Sequence, residues 1–344
     1  MKQLLIGDCH FGTSSNSVVW LENQLKFFQT QFIEVLDNRE VDRIVFLGDL
    51  TDIRYSINQQ VGIELKNLIR ELSDKYKDKE FFFIAGNHDY YSPLEEFHEY
   101  NSYELMFGEE FVQAHPNIKI INNEPYYDNC GNLYLPWYYT ENFQHFSDLL
   151  YSINVKELKN IFCHDDLMKW DYSRTSLFSN AKVWSGHIHT ARTFDNPNLI
   201  QIGSMFSFNF SDVNTIKHMY LIDDDNGLIE KIENKVSPRF KRFFNEEIFK
   251  LTEEDFENSY VQICIFKTNI NQLKYIERIK EIKSNYAQYN LRIQIIDNSL
   301  GETLELSYFN ANIDSYINEN IPDHLTDKYE IVKDKIKNKK EIEQ

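Results

Sequence analysis

A chain of 344 residues, 42% of them hydrophobic and 26% charged, can bury the core of one large domain and a smaller companion. Its net charge of −18 at pH 7 excludes a protein that coats nucleic acid with its whole surface, because non-specific affinity rests on neutralised phosphates. A hydrolase that meets an anionic substrate through bound cations, or beside a basic partner, stays open.

In chain order, the first ~235 residues alternate strand-like and helix-like segments, the pattern of layered α/β architecture. Leu4-Leu5-Ile6, Ile44-Val45-Phe46-Leu47 and Phe81-Phe82-Phe83-Ile84 are short apolar runs that read as buried strands. Between them, Leu21, Leu25, Phe28, Phe32 and Val35 recur at helical spacing, as do Leu65, Leu68, Ile69 and Leu72. Ile161-Phe162, Val183-Trp184 and Leu199-Ile200-Gln201-Ile202 predict further strands. A boundary falls near Asn234 to Pro238, giving a first domain over 1–235. Over 236–300 the pattern is a compact β-α-β unit, with strands at Tyr260–Phe266 and Leu291–Ile296 and a helical stripe at Leu273, Ile276, Ile279 and Ile282. The tail, 301–344, shows two short amphipathic faces: Ile313, Tyr316, Ile317 and Ile321, then Leu325, Tyr329, Val332 and Ile336. Such helices are marginal alone, so they pack on the chain's own body or on a partner.

The cysteines Cys9, Cys130, Cys163 and Cys264 form no C-x-x-C pair, so buried, reduced thiols are expected. Met1–Asp8 lacks the apolar length of a signal peptide and no stretch has the length of a membrane span, so a cytoplasmic location is expected.

Five motifs, each following a predicted strand, carry the chemistry: Gly7-Asp8-Cys9-His10, Gly48-Asp49-Leu50-Thr51-Asp52, Gly86-Asn87-His88-Asp89, Cys163-His164-Asp165 and Gly186-His187-Ile188-His189. Strand C-termini in open α/β sheets converge on one edge, so the five predict one site. In extended chain, residues i and i+2 point the same way, which sets Asp8 beside His10 and His187 beside His189. The natural ligand set is Asp8, His10, Asp49, Asn87, His164, His187 and His189; with Asp49 shared, each of two cations receives four protein ligands. Imidazole and carboxylate together suit Mn²⁺, Fe²⁺, Zn²⁺ or Co²⁺, and a pair of such ions can polarise a phosphoryl group and acidify water. Any one motif recurs by chance; the ordered set of five does not. His98, His115, His145, His218 and His324 lie in no such pattern and read as non-catalytic.

This ordered set, covering residues 1 to about 235, resembles the calcineurin-like metallophosphoesterase superfamily. Within it the chain looks most like the SbcD exonuclease group, the counterpart of the meiotic recombination eleven nuclease, and most like the short form encoded by tailed phages, the nuclease subunit of the phage recombination endonuclease. Leu135-Pro136-Trp137, Val183-Trp184-Ser185-Gly186-His187 and Ile202-Gly203-Ser204 add to the likeness.

The resemblance implies a four-layer α-β-β-α sandwich over 1–235, a β-α-β capping domain over 236–300, and a tail that docks an SMC-like SbcC-type ATPase. It implies two Mn²⁺ ions, Mg²⁺ also being open: one held by Asp8, His10, Asp49 and His189, the other by Asp49, Asn87, His164 and His187. His88 would stabilise the pentavalent phosphate or protonate the leaving oxygen, and Asp52 would orient His88 by accepting its other N–H, unless it is a simple turn cap. A homodimer, DNA as substrate, a role in recombination and double-strand-break repair, and, for a phage protein, the host cytoplasm are implied as well.

The chain departs from two other branches. Asp52 stands where purple acid phosphatases need a metal-bound Tyr, and Ala85 and Asp89 replace the Arg and Glu that flank the G-N-H motif of protein Ser/Thr phosphatases. The basic cluster Lys235, Arg239, Lys241 and Arg242, interleaved with Phe240, Phe243 and Phe244, is a candidate for DNA phosphate contact or for a seam between domains. Two alternatives to a DNA exo/endonuclease remain: a small-molecule phosphodiesterase, for which a cap and a docking tail are superfluous, and a non-catalytic scaffold, which would have lost ligands.

Overall fold

The computed structural model describes residues 1–52, 54, 56–92, 100–141, 143–153, 155–170, 181–270, 272–297 and 302–304. The two helical faces expected at Ile313–Ile321 and Leu325–Ile336 lie outside the described residues. The chain divides into two compact units, Met1–Arg239 and Phe240–Gln344.

The first unit is built on two six-stranded sheets. In one, β1 (Lys2–Ile6), β2 (Arg43–Leu47), β3 (Glu80–Ile84) and β4 (Ile118–Ile121) run parallel, and β11 (His218–Asp223) and β12 (Ile229–Glu233) continue antiparallel beyond β1. In the other, β6 (Asn132–Tyr134), β7 (Asn160–Cys163), β8 (Lys182–Ser185) and β10 (Leu199–Gln201) run parallel, flanked by β5 (Tyr126–Tyr127) and β9 (Arg192–Thr193). The parallel strands are apolar on both faces because both faces are covered.

Register sorts their residues. Tyr220, Leu5, Val45 and Phe82 align across the first sheet, and Tyr134, Phe162 and Trp184 across the second. These rows form one cluster between the sheets. On the outer face of the second sheet, Leu133, Ile161, Val183 and Leu199 pack with Phe146 and Leu150 of the helix Phe143–Ser152 and with Leu158 and Trp170. On the outer face of the first, Phe46 and Phe83 stack at 4.5 Å, and Phe28 and Tyr103 reach them from helical segments. The result is the four-layer α-β-β-α sandwich.

The helix Gln59–Lys75 follows its periodicity: Asn58 caps it by accepting from the Gln60 amide, and Val61, Leu65, Leu68, Ile69 and Leu72 are buried. The stripe from Leu21 to Val35 is less regular than its spacing predicts. An α-helix over Val18–Phe27 passes through a π-helical turn at Phe28–Phe32 before Ile33–Asn38. The wider turn brings both Phe27 and Phe28 inward, against Phe206 and Phe11.

In the second unit, β14 (Ser259–Phe266) and β15 (Asn290–Asp297) are parallel and joined through the helix Leu273–Asn285. Val261, Ile263, Ile265, Tyr275, Ile279, Ile282 and Ile293 make its core. Two strands beyond the expected β-α-β flank this pair: β13 (Arg239–Phe244) and β16 (Glu302–Leu304). The helix face is also rotated from the expected stripe: Leu273 is exposed, and Tyr275, Ile279 and Ile282 are buried at i, i+4 and i+7. Cys9, Cys163 and Cys264 are buried, whereas Cys130, in the turn before Gly131, is exposed. Among the described residues no helix is long and apolar enough to cross a membrane.

Candidate metal centre

Each of the five motifs continues a parallel strand past its C-terminal end: β1 into Asp8 and His10, β2 into Asp49, β3 into Asn87 and His88, β7 into His164, and β8 into His187 and His189. Parallel direction and in-step register put all five ends at one edge of the sandwich. The loops are locked to each other. The Asp49 carbonyl accepts from the amides of Cys9 and His10 at 3.0 and 2.9 Å. The Asp49 carboxylate accepts from the His88 amide at 2.8 Å, and Asp8 from the His187 amide at 3.0 Å.

The backbone bends sharply to do this. His10, Asp49 and His187 sit at φ of 48°, 49° and 76°, a region non-glycine residues avoid and which clusters at functional sites. Gly48, at φ 92°, allows a close approach: a Cβ there would lie 2.2 Å from His164 Nδ1.

The structure brings all seven predicted ligands together. His10 Nε2 is 3.0 Å from His189 Nε2, and His189 Nε2 is 3.7 Å from Asp8 Oδ2. Asn87 Oδ1 is 3.0 Å from His164 Nε2 and 2.8 Å from His187 Nδ1. Asp49 Oδ2 stands between the two groups, 3.7 Å from His10 Nε2 and 3.2 Å from His164 Nε2. Atoms bonded to one cation at about 2.1 Å lie about 3.0–3.4 Å apart; three of these six spacings fall in that range and the other three lie within a few tenths of an ångström of it. Asp8 Oδ2 is a buried carboxylate oxygen with no hydrogen-bond donor, the state expected of an oxygen kept for a cation. The donor set therefore fits two divalent ions, with Asp8, His10 and His189 on one side, Asn87, His164 and His187 on the other, and Asp49 between.

The electrostatics agree. Burial opposes protonation of His164, yet Asp49 and Asp8 outweigh it and push its pKa up to about 10. His10 is raised in the same way, burial being overcome by Asp52, Asp49 and Asp8. Asp49 lies well below the usual carboxylate range despite its burial, because His164, His10 and His88 surround it. Burial, then the charge of His164, lowers His187 to about 4, and burial lowers His189, leaving neutral imidazoles of the kind a cation takes. The buried carboxylates draw positive charge, and cations compete with protons for the same lone pairs.

His88 lies beside the cluster, its ring edge-on to His10 at 4.9 Å. Its Nδ1 meets residue 52, as expected, but the acceptor differs. It is the Asp52 main-chain carbonyl, at 2.5 Å, and not the carboxylate. The carboxylate lies 3.1 Å from His10 Nδ1 instead. Both follow from the loop's course: the Asp52 amide donates to the Phe11 carbonyl, which turns its own carbonyl toward His88.

Several supporting residues escape sequence reasoning. Asp89 is buried and ties two ligand loops together, accepting from the Gly86, Leu50 and Thr51 amides and the Thr51 hydroxyl. Gln24, buried on the helix Val18–Phe27, donates to the Cys9 and His10 carbonyls at 2.5 and 3.1 Å. Lys217 donates to the His189 carbonyl and to Asp212, and Phe208 packs against both His10 and His189. Of these, Asp89 lies inside a motif, and Gln24 is a polar residue on a buried helix face; Lys217 and Phe208 leave no local signal.

Three residues of the basic cluster are engaged within their own surroundings. Arg239 pairs with Glu233, Lys241 with Asp255 at 3.7 Å, and Arg242 Nε donates to Gln262 at 2.6 Å. Among the described residues, the groups able to hold a metal all fall at this site, and His115, His145 and His218 belong to none of them.

Several known proteins resemble this chain in part. The family model described as calcineurin-like phosphoesterase matches residues 1–199. The SbcD subunit of the SbcCD nuclease of Staphylococcus epidermidis is 35% identical over 89 residues, which cover 26% of this chain and 23% of that protein. The match thus spans less than a quarter of that curated relative's length. Among solved structures, TT1561 of Thermus thermophilus is 12% identical at a TM-score of 0.41, and a novel archaeal phosphodiesterase is 11% identical at 0.36. In each case 68% of this chain and 99% of the other is covered.

Proposed function

From its membership of the calcineurin-like phosphoesterase family, which makes this chain a metal-dependent phosphoester hydrolase, we propose that it cleaves the phosphodiester backbone of DNA as the nuclease subunit of an SbcCD-like complex. The observation that carries the reading is the single Asp49 oxygen set between two donor groups, with His88 at their side. The identity to an SbcCD nuclease subunit supports DNA as the substrate and an SbcC-type ATPase as partner, and so does a second unit beyond the catalytic sandwich. Mn²⁺ is the proposed cation pair, the tail after residue 300 the proposed ATPase contact, a homodimer the proposed assembly, and recombination and double-strand-break repair the proposed setting. Arg239, Lys241 and Arg242 are proposed as phosphate contacts.

Bound cations supply Lewis-acid polarisation of the phosphoryl group and acidify water. The chain's own residues supply the rest. Asp8, Asp49, Asn87 and the imidazoles would hold those cations and so set where the reacting phosphate meets them. As the imidazolium, His88 would donate its Nδ1 proton to the Asp52 carbonyl and present its Nε2–H to the substrate, where it would stabilise the developing charge and pass the Nε2 proton to the departing O3′, ending as the neutral ring still protonated on Nδ1.

His88→Ala is expected to lower turnover about 10²–10⁴-fold, the usual contribution of a general acid, while leaving cation binding intact. The test is Mn²⁺-dependent cleavage of linear duplex and single-stranded DNA, alongside a soluble phosphodiester. Wild-type cleavage of DNA with loss in His88→Ala supports the proposal. Turnover of the soluble diester with inert DNA favours a small-molecule phosphodiesterase, and equal activity in both proteins removes His88 from the chemistry.

A further inference from the structure

Residue 52 meets two imidazoles with two different groups. Its main-chain carbonyl takes the Nδ1 proton of His88, a service any amino acid at this position can give. That carbonyl is held by the chain: the Asp52 amide donates to Phe11, the Phe11 amide donates to Leu50, and Phe11 and Thr51 form a parallel bridge. The carboxylate has a different neighbour. Its Oδ1 lies 3.1 Å from His10 Nδ1, which is buried and has no aligned hydrogen bond of its own. The opposite nitrogen of the same ring, Nε2, points to the cation side, toward His189 Nε2 and Asp49 Oδ2.

An imidazole gives its Nε2 lone pair to a cation only as the tautomer protonated on Nδ1, and a buried N–H needs an acceptor. A carboxylate in that place fixes both tautomer and ring orientation. Asp52 stands where such an acceptor is required, with its Oδ1 3.1 Å from His10 Nδ1.

We propose that Asp52 is a positioning residue of the metal centre, acting through His10 rather than through His88. The inference rests on the reading of this cluster as a two-cation site. It assigns the carboxylate to the cation held by Asp8, His10 and His189, and makes the His88 contact independent of the side chain at 52.

The experiment is Mn²⁺ binding to the full chain, followed by the spin-resonance signal of free Mn²⁺, for wild type, Asp52→Ala, Asp52→Asn and His88→Ala. The side chain of Asp52 is 26% exposed, so its replacement leaves the core alone. Wild type is expected to take up two equivalents. Asp52→Ala is expected to weaken one of them about 10–100-fold, the usual effect of losing a ligand's hydrogen-bond partner, and to spare the other. Asp52→Asn keeps an acceptor oxygen and is expected to recover part of the loss, and His88→Ala to bind both equivalents as wild type does. Asp52→Ala binding both equivalents normally overturns the proposal and leaves the two-cation reading standing. Wild type binding no Mn²⁺ overturns both.

Discussion

Asp49→Asn is expected to reduce phosphodiester hydrolysis by more than about 10²-fold, beyond the 10–100-fold that loss of an outer-shell partner costs, and to weaken both cations together. The carboxamide has nearly the same shape, and the main-chain carbonyl that holds the Asp8 loop is unchanged, so the fold is kept. What goes is the negative charge on the one oxygen that faces His10 on one side and His164 on the other. Among the seven candidate ligands no other single oxygen faces the Nε2 atoms of both groups, so no other single substitution is expected to weaken both equivalents equally. Turnover and Mn²⁺ binding measured on the same preparation check this. A variant that loses one equivalent and keeps the other would show that Asp49 belongs to one ion alone.

The second large effect lies at the opposite end of the sandwich. Arg43 opens β2 and is buried between the sheets. Its Nε and Nη2 donate to Glu80 at 2.9 and 2.6 Å, its Nη1 to Asp128 at 2.5 Å, and its guanidinium lies 4.2 Å from the Phe82 ring centre. Asp128 in turn accepts from the Asn132 and Cys130 amides. Arg43→Met leaves Asp128 buried without its cation and is expected to cost about 3–5 kcal/mol. Adding Asp128→Leu is expected to restore much of it, since an apolar pair of similar volume replaces a buried ion pair at little net cost.

Burial alone would raise the pKa of Asp128, but the Asn132 amide, Arg43 and the Asn132 side chain more than offset this and lower it. The stabilisation it provides is therefore fully present above its unfolded pKa of about 3.9 and is lost as pH falls through the depressed folded value. Denaturant unfolding of the intact chain at neutral pH measures the loss; a change below about 1 kcal/mol, the range of an exposed pair, would contradict it.

The centre is legible in the sequence because each ligand lies within a few residues of a strand end, and strand ends are local signals. Asp8, Asn87 and His187 are distant in the chain, yet each follows a short apolar run and a glycine, and parallel pairing does the rest. What the sequence does not carry is which atom of a residue is used. The family resemblance implies that Asp52 accepts from His88, and the chain's turn at Phe11 presents the main-chain carbonyl rather than the carboxylate.

Long-range support is equally silent. Lys217 reaches the His189 carbonyl only after β11 has paired antiparallel to β1, a pairing that no local pattern specifies. In the second unit, β13 is hidden by its charges: Arg239, Lys241 and Arg242 alternate with aromatics, which reads as a basic cluster before it reads as a strand. The π-helical turn at Phe28–Phe32 is invisible for a related reason, since a period of 3.6 fits the flanking helices well enough to pass through it.

Anomalous diffraction at the manganese edge, from crystals of the full chain grown with Mn²⁺, tests the centre most directly. Two peaks are expected about 3.5–4 Å apart, both within bonding distance of Asp49, one also reached by Asp8, His10 and His189 and the other by Asn87, His164 and His187. A single peak, or two that share no carboxylate, would contradict the arrangement on which the proposed hydrolysis depends.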